Sequence, residues 1–230
     1  MKAPFGVSVV VPVFNNADVL PSTISRLMDF FSAEFDRYEL IFVDDGSRDN
    51  SRRLLEEAVL RHKNIRAIYH HENQGQQRSI ADGALAAAEE VILSIDADLP
   101  CILSDLKKMA FIAAQGTDLV LGRRMGGPRR IWWRRMGSFC ASVLLRIMYS
   151  FKVRDFGCST CAVRRDFVDR LRNKSHELRV LKIQLLQYSR NYIEIDINLP
   201  ESMPERESGY SLLRLFHLVL SVVRFRITKR

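Results

Sequence analysis

Short apolar runs rich in β-branched residues alternate, over the first 122 residues, with longer segments whose apolar residues recur at helical spacing. The runs predict strands at residues 7–13, 39–43, 65–69, 91–95 and 119–121. The longer segments predict helices at residues 18–35, 51–61, 76–89 and 104–114, with Ser104 as the cap of the last one. This alternation predicts an α/β fold with a mostly parallel sheet flanked by helices, and such sheets bind ligands beyond the carboxyl ends of their strands.

The pattern changes after Gly122. Six arginines and two tryptophans lie within residues 123–135. The apolar segments 138–151 and 212–227 are too short or too charged to span a membrane, so we expect both to be amphipathic helices on a membrane surface. Further helices are predicted at 166–172 and 176–188, and a strand at 192–199. No flexible linker interrupts the chain, and residues 1–230 are predicted to form a single domain.

Composition excludes several classes of protein. The apolar share of 47% and charged share of 27% are ordinary for a globular chain and exclude a disordered or collagen-like one. Four cysteines in 230 residues do not suggest a disulfide framework, so we expect reduced thiols and a cytosolic protein. The formal net charge of +8 attracts phosphates on nucleotides, nucleic acids or lipid headgroups.

The phosphate-binding motifs of two large enzyme classes are missing from the sequence. No Gly-x-Gly-x-x-Gly follows the first predicted strand, and no P-loop lysine pattern occurs. These absences argue against a dinucleotide-dependent dehydrogenase and a P-loop kinase.

Two pairs of acidic residues follow predicted strands. Asp44 and Asp45 come after the second strand, and Asp96 and Asp98 come after the fourth. Aspartate after a strand is often turn chemistry, but two pairs at carboxyl ends favour a binding site. Hard carboxylate oxygens suit Mg²⁺ or Mn²⁺ and leave room for waters and diphosphate oxygens on the ion.

Four motifs in order resemble those of family 2 glycosyltransferases with the GT-A fold: Pro12-Val13-Phe14-Asn15, Asp44-Asp45-Gly46-Ser47, Asn73-Gln74-Gly75 and Asp96-Ala97-Asp98. The second half resembles the polyprenyl-phosphate glycosyltransferases of the dolichol-phosphate mannose synthase type. The blocks that carry this likeness are Gly122-Arg123-Arg124, Arg134 with Ser138, Asp155 with Gly157, and the segment Arg206 to Leu212. The resemblance covers nearly the whole chain. It implies a nucleotide-sugar-binding half at 1–122 and an acceptor-binding, membrane-associating half at 123–230.

The resemblance also implies roles for individual residues. The catalytic residues would be Asp98, Asp155 and Arg134, and Asp96 and Asp98 would face the metal, with Asp98 as the direct ligand. Residues implied to bind substrate are Pro12, Phe14, Asn16, Asp44, Asp45, Asn73, Gly75, Asp96, Arg123, Ser138, Arg206 and Ser208. Among them, Pro12, Phe14 and Asp44 or Asp45 would hold the base and ribose, while Arg123, Arg134, Ser138 and Arg206 would gather the acceptor phosphate.

Three positions depart from the pattern of that family. Asn16 stands where the family usually has Glu, Pro100 where it often has Gln, and Gly209 where Lys is common. These departures bear on the recognition of the base, the metal and the phosphate rather than on the class of reaction.

The function implied is inverting transfer of a sugar from a UDP- or GDP-linked donor to a polyprenyl phosphate, with Mg²⁺ or Mn²⁺. We expect the protein in the cytoplasm, bound peripherally to the anionic inner face of the membrane by the arginine-rich segment and the amphipathic helices. The sequence leaves two further questions open: whether an integral-membrane partner moves the product onward, and whether the chain forms a homo-oligomer.

Two alternatives remain. The same fold could act on a hydroxyl acceptor in polysaccharide or glycolipid synthesis, which needs a general base such as Asp155. A non-catalytic module that binds membranes or nucleic acid is the second. The aromatic and basic pattern is confined to one segment, so we expect no nucleic acid partner.

Overall fold

The computed structural model describes residues 2–125, 151–172 and 181–198. In chain order the elements are β1 Val7–Val13, α1 Leu20–Glu34, β2 Tyr38–Asp44, α2 Ser51–Arg61, β3 Ile65–Tyr69, α3 Gln76–Ala86, β4 Val91–Ser94, α4 Leu103–Ala114, β5 Leu119–Met125, β6 Cys161–Arg164, α5 Arg165–Arg172, α6 Leu181–Tyr188 and β7 Tyr192–Asn198. The expected segments 138–151 and 212–227 lie almost entirely outside the described residues. None of the helices described is long and apolar enough to cross a bilayer.

The described strands form one mixed sheet in the order β3-β2-β1-β4-β6-β5-β7. The neighbours of β1, namely β2 and β4, run parallel to it, and β3 runs parallel to β2. Only β6 is antiparallel to its neighbours β4 and β5, while β5 and β7 are parallel. The carboxyl ends of the other six strands therefore meet at one edge of the sheet, which we call the carboxyl edge.

Apolar residues cover both faces of the sheet. All seven residues of β1 are buried, as expected for a central strand with helices on both sides. One apolar cluster includes Val9 and Val11 with Leu27 and Phe31 of α1, and the other includes Val10 with Ile80 of α3. Successive side chains of β1 thus enter opposite layers of the core.

Helix α3 lies very close to the sheet because Gly83 faces it. A Cβ atom at Gly83 would lie 2.4 Å from Cγ1 of Val10 and 3.1 Å from Cγ2 of Val43. This contact brings the start of α3 to the carboxyl edge, where its first residue, Gln76, reaches the site described below.

Several predicted boundaries differ from those observed. Ser104 is not the cap of α4, because the helix starts at Leu103 with Ile102 at the N-cap position and no side-chain cap bond. Strand β5 continues to Met125 because β7 pairs with it through Arg123 and Arg124. Strand β6 was not predicted, since four residues ending in an arginine carry little periodicity.

Candidate active site

The loops after β1 and β2 are joined by hydrogen bonds at the carboxyl edge. The amide of Asn15 donates to Oγ of Ser47 at 3.0 Å, and Oδ1 of Asn15 accepts from the amide of Arg48 at 2.8 Å. Asn15 has a positive φ of 52°, which asparagine tolerates better than most residues. The Asn16 carboxamide accepts from the Phe14 amide at 2.9 Å, and Phe14 is left 41% exposed. The two hydrogen-bonded loops therefore hold Phe14 in a position where its ring is exposed to solvent.

Pro12 is compatible with its central strand because β4 is short. Alternate residues of a strand direct their backbone groups to the same neighbour, and Val10 accepts from the amide of Ile95 on the β4 side. Pro12 faces that same side, but β4 pairs only with Val7–Val10. Its missing N–H thus lies past the last bond of that ladder.

The two carboxylates after β2 have different environments. Asp45 is buried, and its oxygens accept from His70 Nδ1 and the amides of Gln74 and Gly75, each at 2.9 Å. Asp44 is also buried, but only its Oδ1 has a bond, from the Ser47 amide at 3.2 Å, and Oδ2 has no partner among the described residues. Asp45 is thus fully used in holding the loop before α3, while Asp44 retains a free acceptor.

His70, the first residue of the loop after β3, was not predicted to take part in the site. Its Nδ1 lies 2.9 Å from Asp45 Oδ1, and its Nε2 lies 3.1 Å from Asp82 Oδ2. Arg78 donates to the same oxygen of Asp82 at 2.8 Å. This chain of hydrogen bonds, buried at Asp45 and His70 and exposed at Arg78, fixes Asp45 and the segment containing Asn73 and Gly75.

Asp96 is held by residues from two other segments. Gln76 Nε2 donates to Oδ1 at 2.5 Å, and Ser159 Oγ donates to Oδ2 at 2.7 Å. Burial raises the pKa of Asp96 to about 6, the Ser159 bond opposes that rise, and the negative charge of Asp98 adds to it. Sequence reasoning missed both Gln76 and Ser159, although Gln76 directly follows the Asn73-Gln74-Gly75 motif.

Asp98 is the other carboxylate of the turn at residues 96–99, which we call the aspartate turn. Its Oδ1 is buried and has no hydrogen-bond partner among the described residues, and burial raises its pKa. The turn is tight: Leu99 has a φ of 49° and its amide donates to the Asp96 carbonyl at 3.0 Å. Thr23 Oγ1 of α1 donates to the carbonyl of Ala97 at 2.6 Å, which fixes the turn from below.

The donor set fits a divalent cation. Two carboxylates lie close together, and Asp98 has an unpartnered oxygen that a hard cation would satisfy. Within residues 2–125, 151–172 and 181–198 no group of three or more His, Cys, Asp or Glu side chains could hold a metal ion.

Arg124 and Asp155 form a two-pronged ion pair. Nε and Nη2 of Arg124 donate to Oδ2 and Oδ1 of Asp155 at 2.9 and 3.0 Å. Burial raises the pKa of Asp155, but the hydrogen bonds and charge of Arg124 outweigh it and hold that pKa below its usual 3.8. Arg124 is also close enough to Asp96 to lower its pKa, so this pair borders the aspartate turn.

The residues predicted to bind the acceptor are only partly described. Arg123 points to the opposite face of β5 from Arg124 and pairs with Asp196, its cross-strand neighbour on β7. The structure therefore brings Arg124, rather than Arg123, to Asp96 and Asp155. Arg134, Ser138, Arg206 and Ser208 lie outside the described residues.

The cysteines of the described segments are buried thiols. Cys101, Cys158 and Cys161 are free, and burial raises the pKa of Cys101 and Cys161 to about 12. Cys101 and Cys158 pack in one apolar cluster of the core, and Cys161 packs in the other.

Comparison with known proteins identifies the family. Residues 8–172 match the model of "Glycosyl transferase family 2". An undecaprenyl-phosphate 4-deoxy-4-formamido-L-arabinose transferase from Proteus mirabilis is 31% identical over 221 residues, which are 94% of this chain and 66% of that protein. The chain thus spans slightly less than two thirds of the length of this relative.

Solved structures share the fold at low sequence identity. A mannosyltransferase from Pyrobaculum calidifontis in complex with GDP-Man and Mn²⁺ has a TM-score of 0.60 at 17% identity, covering 90% of this chain and 59% of that one. Glucosyl-3-phosphoglycerate synthase from Mycobacterium tuberculosis, in complex with Mn²⁺, UDP and phosphoglyceric acid, has a TM-score of 0.62 at 15% identity, covering 96% and 77%.

Thr23→Val should lower the free energy of unfolding. The change keeps the shape of the side chain but removes the bond to the Ala97 carbonyl, and an unpaired buried acceptor costs about 1–3 kcal/mol. Urea denaturation measures the loss, and Thr23→Ser, which keeps the hydroxyl, is the matched control. Wild-type stability of the Val variant would show that the bond does not hold the turn.

Arg124→Gln should destabilise the fold in a pH-dependent way. The folded pKa of Asp155 is below 3.8, so the pair contributes stability above that pH, and the contribution is lost as pH falls through the folded pKa. We expect a loss of about 1 kcal/mol at pH 7 and a smaller loss at pH 3, measured by urea denaturation. Arg53→Gln, which removes an exposed helical ion pair with Glu57, should change little at either pH. A loss for Arg124→Gln that is the same at both values would contradict the ion-pair explanation.

The family model matches residues 8–172, and the order of the motifs and the mixed sheet with its aspartate turn at the carboxyl edge agree with that match. The chain therefore belongs to glycosyl transferase family 2, with the GT-A fold.

Proposed function

We propose that this chain transfers a sugar from a nucleotide-sugar to a polyprenyl phosphate, with inversion at the anomeric carbon. The observation that carries the proposal is the convergence of Asp96 and Asp98 with the Arg124–Asp155 pair at one edge of the sheet. The name of the Proteus mirabilis relative, which includes undecaprenyl phosphate, supports the choice of acceptor.

The donor half of the site would lie along β1, β2 and the aspartate turn. Phe14 offers an exposed ring against which a base can pack, and Asp44 Oδ2 offers a buried acceptor for one N–H of the base. Both oxygens of Asp45 are engaged, so its role would be to hold the Asn73–Gly75 loop. This division favours Asp44 over Asp45 as the residue that touches the nucleotide, whether UDP or GDP.

Asp98, with Asp96 beside it, would hold Mg²⁺ or Mn²⁺, and the ion would supply positive charge to the diphosphate as it leaves. Gln76 and Ser159 keep Asp96 in a fixed orientation for this task. Without the positive charge of the ion, two close carboxylates would repel the diphosphate. Pro100 offers no side-chain ligand where the family often has glutamine.

The state of Asp155 favours a phosphate acceptor over a hydroxyl acceptor. A general base works best with a pKa near the operating pH, whereas Arg124 holds the pKa of Asp155 below 3.8 and binds both of its oxygens. A lipid phosphate is already an anion at pH 7 and needs no base. The site then has to supply orientation and charge neutralisation.

Arg124 is also suited to contact the incoming phosphate. A guanidinium has five N–H donors, and the bonds to Asp155 use only Nε and Nη2. Arg134, Ser138 and Arg206, outside the described residues, are proposed to complete the phosphate site. Arg123 would act from the other face of β5, where it is paired with Asp196.

Peripheral association with an anionic membrane is part of the proposal. The arginines of 123–135 would each contribute about 1 kcal/mol near an anionic surface. Arg123, the first of them, is at the end of β5, at the same edge of the sheet as the aspartate turn. A lipid-linked phosphate would therefore reach the site without leaving the bilayer surface.

Asp98→Asn should reduce turnover about 100-fold or more, because it removes the charge that holds the metal against the diphosphate. Initial rates with excess Mn²⁺ measure the effect, and thermal unfolding checks that the fold is intact. Asp36→Asn, at an exposed position before β2, is the matched control and should retain wild-type rates. Full wild-type turnover in excess chelator would contradict a metal-dependent reaction.

Arg134→Ala and Asp155→Asn together identify the acceptor. With a phosphate acceptor, Arg134→Ala should abolish acceptor binding and spare donor binding. Asp155→Asn should then cost less than the roughly 10²- to 10⁴-fold that a general base supplies. With a hydroxyl acceptor the order reverses. Rates with polyprenyl phosphate and a panel of nucleotide-sugars measure both variants, and transfer only to free hydroxyls would favour polysaccharide or glycolipid synthesis.

A further inference from the structure

Lys182, the second residue of α6, donates to three backbone carbonyls of a single turn. Its Nζ lies 3.1 Å from the carbonyl oxygen of Asp155, 3.0 Å from that of Phe156 and 2.7 Å from that of Cys158. The ammonium also lies 5.3 Å from the centre of the Phe156 ring. An ammonium has three N–H donors, so all of them are used within the turn 155–158. Lys182 therefore retains no donor for a substrate.

The turn held by Lys182 carries one side chain of the active site and directly precedes another. Asp155 at its start binds Arg124 with both oxygens, and Ser159 just after it donates to Asp96 at 2.7 Å. The backbone between them has one internal bond, from the Cys158 amide to the Asp155 carbonyl at 3.5 Å. Within this short segment the Lys182 ammonium thus makes three hydrogen bonds to the backbone, whereas the backbone makes one internal hydrogen bond.

The positive charge of Lys182 loses hydration in this position, and its hydrogen bonds must offset that loss in free energy. The neighbours of Lys182 on α6, Leu181 and Ile183, are buried apolar residues, and burial lowers the pKa of Lys182. A buried charge is tolerated where it is fully hydrogen-bonded, and a leucine or methionine would pack here without that requirement. The contribution of the lysine is therefore the placement of the turn rather than burial of apolar area.

We propose that Lys182 is a positioning residue for the reaction: it fixes the turn 155–158 so that Asp155 meets Arg124 and Ser159 meets Asp96. This inference rests on the proposed function, because the value of the placement is realised in transfer of the sugar. Sequence reasoning did not find it, since a lysine among helical apolar residues is usually a solvated side chain.

The test compares Lys182→Met with Lys63→Met, which removes an exposed lysine at the amino end of β3. We expect Lys182→Met to lower kcat by about 10- to 100-fold, the range that a misplacement near 1 Å produces. The KM for the donor should change less than kcat, because the loops that carry Phe14 and Asp44 do not contact Lys182. Lys63→Met should match wild type in both parameters. Wild-type kcat in folded Lys182→Met would overturn the proposal.

A double-mutant cycle distinguishes positioning from a general effect on stability. If Lys182 acts partly through Ser159, Lys182→Met should cost less kcat in a Ser159→Ala background than in wild type. Fully additive losses, at a temperature where every variant is folded, would overturn this route. Should Lys182→Met not fold, Lys182→Gln, which keeps two N–H donors, replaces it and should show a smaller loss of the same kind.

Amide hydrogen exchange tests the anchor without any turnover. Lys182→Met should speed exchange of the amides in 155–160 and leave α2 and β3 unchanged. Unchanged exchange in that segment would overturn the proposal even if kcat fell. If the wild-type protein transfers no sugar to any acceptor, the proposed function fails, while the exchange measurement still decides whether Lys182 holds the turn.

Discussion

The insertion of β6 between β4 and β5 is the constraint on which the active site depends. Because β6 runs antiparallel to both neighbours, its amino end lies at the carboxyl edge, where the parallel strands end. The segment that precedes it, 155–160, is thereby delivered to the aspartate turn. Ser159 can then reach Asp96, and Asp155 can reach Arg124 at the end of β5. Strand β6 thus joins the parallel strands of the first half to β5 and β7 in one sheet.

Charge is distributed at this edge so that most groups are compensated inside the protein. Asp45 is hydrogen-bonded by His70 and two backbone amides, and Asp155 is paired with Arg124. The buried oxygens left without partners among the described side chains include Oδ2 of Asp44 and Oδ1 of Asp98. These are also the carboxylates at which the family resemblance implies nucleotide and metal contacts. A buried unpartnered acceptor costs stability in the free protein, and a ligand that supplies a donor or a cation recovers that cost on binding.

The sequence predicted the features that depend on local pattern. The strands of the first half are apolar on both faces, and their ends carry the acidic pairs, so the parallel sheet and its carboxyl-edge site followed from periodicity. Gln76, Ser159, Arg124 and Lys182 could not be found that way, because their contacts cross 20 to 63 residues of chain. Their roles depend on the packing of α3 at Gly83 and on the insertion of β6, which has no periodic signature.

Arg124 and Lys182 show why two cations near one site are not interchangeable. Arg124 is at a strand end, where its planar guanidinium can bind the carboxylate of Asp155 with two parallel bonds and still present N–H groups to a second anion. Lys182 meets a different requirement, because three carbonyls of one turn converge on a point that a compact ammonium can occupy. Arg124 is the cation proposed to face the substrate, whereas Lys182 binds the backbone. The charge of Lys182 orders the turn that holds Asp155, and Asp155 in turn orients Arg124, so Lys182 sets the position of Arg124 through the turn.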